Sequence, residues 1–166
     1  MSAIAAVQLF WAAGSAVADG PVVETGDAVR HTADLVGSVS QAAATRTGAP
    51  KLPYLCAGSV DHPHASRTAA YTINVHFDTK CRMTAPNVST EGSLSRSRWY
   101  GWEQLKTAND SKANTRALRV AAPKSCEAGS KHRYKGQARF YVSGPEGKGS
   151  AHVYNQNDSE ITCTKH

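Results

Sequence analysis

From Ala70 to Asp78 the chain alternates, with Tyr71, Ile73, Val75 and Phe77 on one side and Thr72, Asn74 and His76 on the other. A period of two marks a strand with one face buried and one wet. The pattern returns at Tyr134, Gly136, Ala138, Phe140 and Val142, set against Arg133, Lys135, Gln137, Arg139 and Tyr141. This second strand has an apolar inner face and a cationic outer one. Shorter or less regular runs predict further strands at Leu52 to Ala57, Val88 to Ser95, Trp99 to Thr107, Thr115 to Ala121, Ser150 to Tyr154 and Glu160 to Thr164. Turn-forming clusters, among them Asn109-Asp110-Ser111 and Ser143-Gly144-Pro145-Glu146-Gly147, separate most of them. Closely spaced short strands with no helical segment between them predict an all-β fold. An immunoglobulin-like antiparallel β-sandwich over residues 51–166 is the expected form.

Ahead of that block the pattern changes. Ala28, Val29, Leu35, Val36, Val39 and Ala43 make a helical stripe over Asp27 to Ala44, capped by Thr25 or Asp27 and weakened by Gly37, Ser38 and Ser40. Residues 19–50 are therefore expected to be a short helical or flexible N-terminal segment, closed off by Thr47-Gly48-Ala49-Pro50 and Pro53. Ile4 to Ala13 is an apolar run followed by Ala16-Val17-Ala18, an A-x-A cleavage pattern, so residues 1–18 are read as a signal peptide. Its n-region, Met1-Ser2, lacks the usual cation. Interrupted by Gln8, Gly14 and Ser15, the run is also a poor membrane span, and no transmembrane span is expected in the mature chain.

Cysteine usage fits that compartment. Cys56, Cys81, Cys126 and Cys163 are even in number and contain no Cys-x-x-Cys spacing, which points to structural disulfides in a secreted protein rather than to zinc or redox chemistry. Loop-closure entropy is roughly 3.5 to 5 kcal/mol for every candidate bridge and does not choose among the three pairings. A nested arrangement, Cys81 with Cys126 and Cys56 with Cys163, is preferred because it would tie the first strand to the last. Charge is concentrated in the same block: Cys56 to Cys163 holds fifteen Lys and Arg against nine Asp and Glu, while residues 1–55 hold three against four. Such a surface suits anionic partners, although solubility explains it equally well.

Several segments together resemble a family of small secreted proteins of Streptomyces and related actinobacteria. They are Cys56, then Asp61-His62-Pro63-His64-Ala65-Ser66, the strand Thr72-Ile73-Asn74-Val75 leading to Cys81, Ala121-Ala122-Pro123-Lys124-Ser125-Cys126, Tyr134-Lys135-Gly136-Gln137-Ala138 and Ile161-Thr162-Cys163. The resemblance covers about two thirds of the chain, from Cys56 onward. It departs in having Asp-His where the family often has Asn before the proline, and in lacking an Asn-Gly turn near Ser97-Arg98. What it implies is secretion and fold. It brings no activity, because the family's members are mostly uncharacterised.

Candidate chemistry is sparse. Asp61-His62-Pro63-His64 is the densest group of metal-ligand types; His62 and His64 would need further ligands, His76 or Asp78 being available, and a surface turn is the competing reading. Ser66 lies nearby but outside any nucleophile-elbow pattern. Arg96 to Glu103 holds Trp99 and Trp102, two of the three tryptophans, with Tyr100, Arg96 and Arg98. Aromatic faces beside cations are what sugar rings and bases stack upon. The favoured expectation is nonetheless that Trp99 or Trp102 fills the core, with alternation sending Trp99 or Tyr100 outward. Arg133, Lys135 and Arg139, joined by Arg116 and Arg119, form a candidate phosphate-binding stripe without any dedicated nucleic-acid motif. With no catalytic constellation and no implied cofactor, the leading expectation is a secreted, non-enzymatic module of the extracellular space or cell envelope. Its ligand-binding candidates are Trp99, Tyr100, Trp102, Arg133, Lys135 and Arg139; its candidate partners are anionic or carbohydrate envelope polymers, or a protein. A metal-dependent hydrolase using His62 and His64 is one alternative. The other is a secreted inhibitor or toxin scaffold with a protruding loop at Ser143 to Gly149.

Overall fold

A computed structural model of the chain describes residues 29–30, 32–38, 54–145 and 147–165. All regular structure among these is β: β1 Val29–Arg30, β2 Thr32–Asp34, β3 Val36–Ser38, β4 Cys56–Val60, β5 His64–Ala65, β6 Thr72–Asn74, β7 His76–Arg98, β8 Gly101–Ala121, β9 Lys124–Ser125, β10 Lys131–His132, β11 Tyr134–Gly144, β12 Gly147–Gln156 and β13 Ile161–Thr162. The main sheet runs β1-β12-β11-β7-β4-β2, with β3 added to β12 and β8 to β7; β10-β13 and β5-β6-β9 form two small sheets. Every ladder is antiparallel except β1 with β12.

One strand shapes the domain. β7 pairs β8 along its length, while its other edge carries β4 at Phe77 to Cys81 and β11 at Asn87 to Arg96. Thr79 and Thr90 lie eleven residues apart on it, yet their hydroxyls hydrogen-bond at 3.0 Å. An extended strand would hold them roughly 36 Å apart. β7 therefore turns back on itself, and the register shift between Lys80 and Ala85 marks the bend. The sheet curls until its two halves face each other, with Phe77, Thr79, Thr90, Leu94, Phe140, Val142 and Val153 sealed between them. Glycines permit the close approach. A Cβ on Gly58 would lie 2.3 Å from the Phe140 ring, one on Gly92 2.3 Å from the Phe77 ring, and one on Gly136 2.6 Å from Val75. Asn155, 2% exposed, ties the halves further by donating from Nδ2 to the Val60 carbonyl at 3.1 Å.

The disulfides are Cys56–Cys81 and Cys126–Cys163, not the nested pairing. Cys56 and Cys81 are register partners across β4 and β7, so the first bridge crosses one ladder. The second bridge anchors the small sheets. Around it Cys126 N donates to Tyr71 O at 2.8 Å, Gly129 N to Cys163 O at 2.9 Å and Cys163 N to Ser130 O at 2.8 Å.

Other expectations change as well. Described residues from Asp27 to Ala44 form three short strands, β1 to β3, rather than a helix, because the edges of the curled sheet offer their backbones ladder partners. The rest of that segment, the signal-peptide reading of 1–18 and the predicted start at Leu52 lie outside the described residues. Asn109-Asp110-Ser111 does not turn: it stays paired to Glu91, Thr90 and Ser89 inside β8, where both faces are exposed and polar side chains remain solvated. Tyr71 takes φ +50° and is exposed, so regular alternation starts only at Thr72.

Candidate functional site

β7 and β8 are joined by a two-residue turn, Trp99-Tyr100, between the register partners Arg98 and Gly101. Gly101 takes φ +126°, open space for a backbone that a side chain would strain. It supplies the conformational freedom that an Asn-Gly turn would have given. The expectation of a core tryptophan fails here. Trp99 is 95% exposed, Tyr100 60% and Trp102 39%. A turn of two residues projects beyond the sheet, so neither ring of Trp99-Tyr100 has an interior to enter. Leaving a side chain as large as Trp in water forgoes on the order of 3 kcal/mol of burial.

The aromatic group has a fixed arrangement. Trp99 and Tyr100 meet edge to face, with ring centroids 5.2 Å apart and planes at 89°. Behind them Lys135 Nζ stands 5.0 Å over the Trp102 ring, a cation–π contact that joins β11 to β8 across β7. Arg133 is held at the same end: its N–H donates to Ser97 Oγ at 3.2 Å, and its carbonyl accepts from Ser97 N at 2.8 Å. Glu103 is the counter-ion, accepting from Arg96 Nε at 2.7 Å and Arg98 Nε at 2.6 Å. One carboxylate serves two guanidiniums, so that trio keeps a net positive charge. The Arg96 hydrogen bond first, then that of Arg98, lowers the Glu103 pKa from 4.5 to about 2. A depressed carboxylate pKa means the interaction is intact above about 4.5 and disappears as the pH falls toward 2. A carbon-detected NMR titration of Glu103 should give a midpoint near 2 in the wild type, moving up toward the ordinary carboxylate value in Arg96→Ala.

The wider cationic stripe is divided. Arg139 lies further along β11, opposite Glu91 of β7 and His152 of β12. Burial first, then Arg139 and Lys135, holds the His152 imidazole below its ordinary value. Arg119 is elsewhere, paired with Asp78 at 2.6 and 2.9 Å near the far end of β8, and Arg116 is on that same far stretch of β8, so neither extends the β11 face.

The histidine cluster forms differently from the sequence reading. Asp61, His64 and His76 bring potential ligand atoms within 4.8 Å of one another, and His62 is not among them. Asp61 Oδ1 accepts from His76 N at 2.7 Å, and Oδ2 faces His76 Nδ1 at 2.8 Å. Asn74 Nδ2 lies 3.2 Å from His76 Nε2, His64 Nδ1 is 2.9 Å from the His62 carbonyl, and the His64 and His76 rings stack at 5.5 Å. These bonds make a clasp between the β4–β5 loop and the start of β7. Ser66 is structural too, its Oγ accepting from Thr68 N and Ala69 N at 3.3 and 3.2 Å. Ser143 to Gly149 is mainly the ends of β11 and β12 joined at Pro145, and Gly144 packs so closely that an added Cβ would meet the Tyr54 hydroxyl and Pro86. No free protruding loop is seen among its described residues.

Trp102 and Lys135 were each identifiable from the sequence, but their contact was not. It depends on β7 standing between β8 and β11, an order that alternation within single strands does not contain. Among the described residues, no helix is long and apolar enough to cross a membrane. The chain matches no protein-family model and no curated protein.

Proposed function

We propose that the protein is a secreted, non-enzymatic binding module of the extracellular space or cell envelope, and that it engages its ligand through the Trp99-Tyr100 tip together with Trp102, Lys135 and Arg133. The observation that carries this reading is the 95% exposure of Trp99 at the end of a long paired hairpin. Three aromatics at one end of a small domain, flanked by cations, form an apolar patch of the kind that marks interaction sites. The two disulfides are consistent with an oxidising compartment, in keeping with the secretion expected from the resemblance that runs from Cys56 onward. For the architecture we take the two facing halves as a sandwich made from one bent sheet. The immunoglobulin-like version calls for two separate sheets and is less supported.

Binding is preferred to metal-dependent hydrolysis because Asp61 and His76 are committed to each other, and the other ring nitrogen of His76 faces Asn74. The test is co-sedimentation of the disulfide-bonded protein with isolated cell envelopes. Trp99→Ala/Tyr100→Ala should lower the bound fraction severalfold with an unchanged melting temperature. Equal binding by wild type and variant would remove the reading.

A further inference from the structure

We infer that the ligand of this tip is the surface of an anionic lipid bilayer, the tip acting as a wedge at the boundary between headgroups and acyl chains; this rests on the binding reading above. Shape decides first. A sugar chain stacks on ring faces that share a plane or line a groove, whereas Trp99 and Tyr100 stand at 89° on a convex two-residue turn. The third ring, Trp102, has the Lys135 ammonium over one face. Such a tip is poor as a platform and well formed as a wedge. Trp and Tyr are also the side chains that favour the membrane interface, their bodies apolar and their N–H and O–H still able to bond headgroups and water.

Charge agrees in position as well as sign. Arg98 and Gly101 begin the strands directly behind the turn, Arg96 and Glu103 follow, and Lys135 and Arg133 flank them on β11 and just before it. If Trp99 and Tyr100 enter the interface, these cations come to headgroup depth, where each adds attraction to phosphate-bearing lipid. Wall polyanions carry the same phosphate chemistry but offer no apolar layer for the two rings. That difference separates the two sources.

The experiment uses the disulfide-bonded chain from Asp19 onward, without the apolar leader, in which Trp99 and Trp102 are the two tryptophans and both report from the tip. Vesicles are phosphatidylcholine alone or mixed with phosphatidylglycerol. On the anionic vesicles the emission should shift to the blue and be quenched by lipids brominated high on the acyl chain. Partitioning should drop about tenfold in Trp99→Ala/Tyr100→Ala, and severalfold in Lys135→Gln or at high salt. Vesicle binding that is equal with and without the tip aromatics, with no blue shift, overturns the inference. Tip-dependent binding to delipidated wall polymer or to an envelope protein, without vesicle binding, overturns it too but leaves the binding module standing. Loss of tip dependence on whole envelopes removes both.

Discussion

Phe140→Ala should destabilise the domain by about 3–5 kcal/mol, the range for truncating a buried aromatic that the surroundings cannot close over. Phe140 is fully buried between the two halves of the curled sheet, with its ring against the backbone of Gly58 on β4. Both strands are fixed by ladders on β7, so neither can move in to fill the space. The pair also makes a cycle with a distinctive sign. Gly58→Ala alone should cost about 1–3 kcal/mol or more, since its Cβ would fall 2.3 Å from the ring. In the Phe140→Ala background the same change should be nearly neutral, because the methyl group then occupies vacated space. Urea titrations of the two single variants and the double variant measure the coupling. Additive losses would mean that the halves are not in contact at this point.

The second large effect concerns the bridges. Their sequence separations of 25 and 37 residues correspond to roughly 3.5 and 3.8 kcal/mol of restricted unfolded-chain entropy. Paired alanine replacement should reproduce those losses with different spatial signatures. Removing Cys126–Cys163 should raise amide exchange around Tyr71, Gly129 and Ser130, which hydrogen-bond beside it, before the main sheet responds. Removing Cys56–Cys81 should loosen β4 against β7, the ladder across which the two cysteines are register partners. Hydrogen exchange with mass spectrometric readout distinguishes the two. Identical exchange maps would count against two separate stapled regions.

The sequence carried the burial of individual strands well. Ile73, Val75 and Phe77, and Tyr134, Ala138, Phe140 and Val142, are buried as alternation requires. It carried poorly whatever depends on a strand's path. β7 and β8 run through polar stretches that alone read as breaks, because long antiparallel pairing keeps their backbones bonded even where both faces are wet. The same long hairpin explains the tryptophans. A core position for Trp99 presupposed a strand there, whereas the chain reverses at that residue. The pairing of Cys56 with Cys81 likewise follows from strand register, to which loop-length entropy is blind.

The order of the two bridges along the chain has one more consequence. Each closes a ring over its own segment, 56–81 and 126–163, and with no free cysteine remaining the stretch between them is an open thread. The whole β7–β8 turn lies on that thread, with Arg98 next to its most exposed residue. A single peptide-bond cut there would leave two pieces with no covalent link, held together only by the ladders of the sheet. A ligand seated on the proposed tip would then also guard the continuity of the molecule.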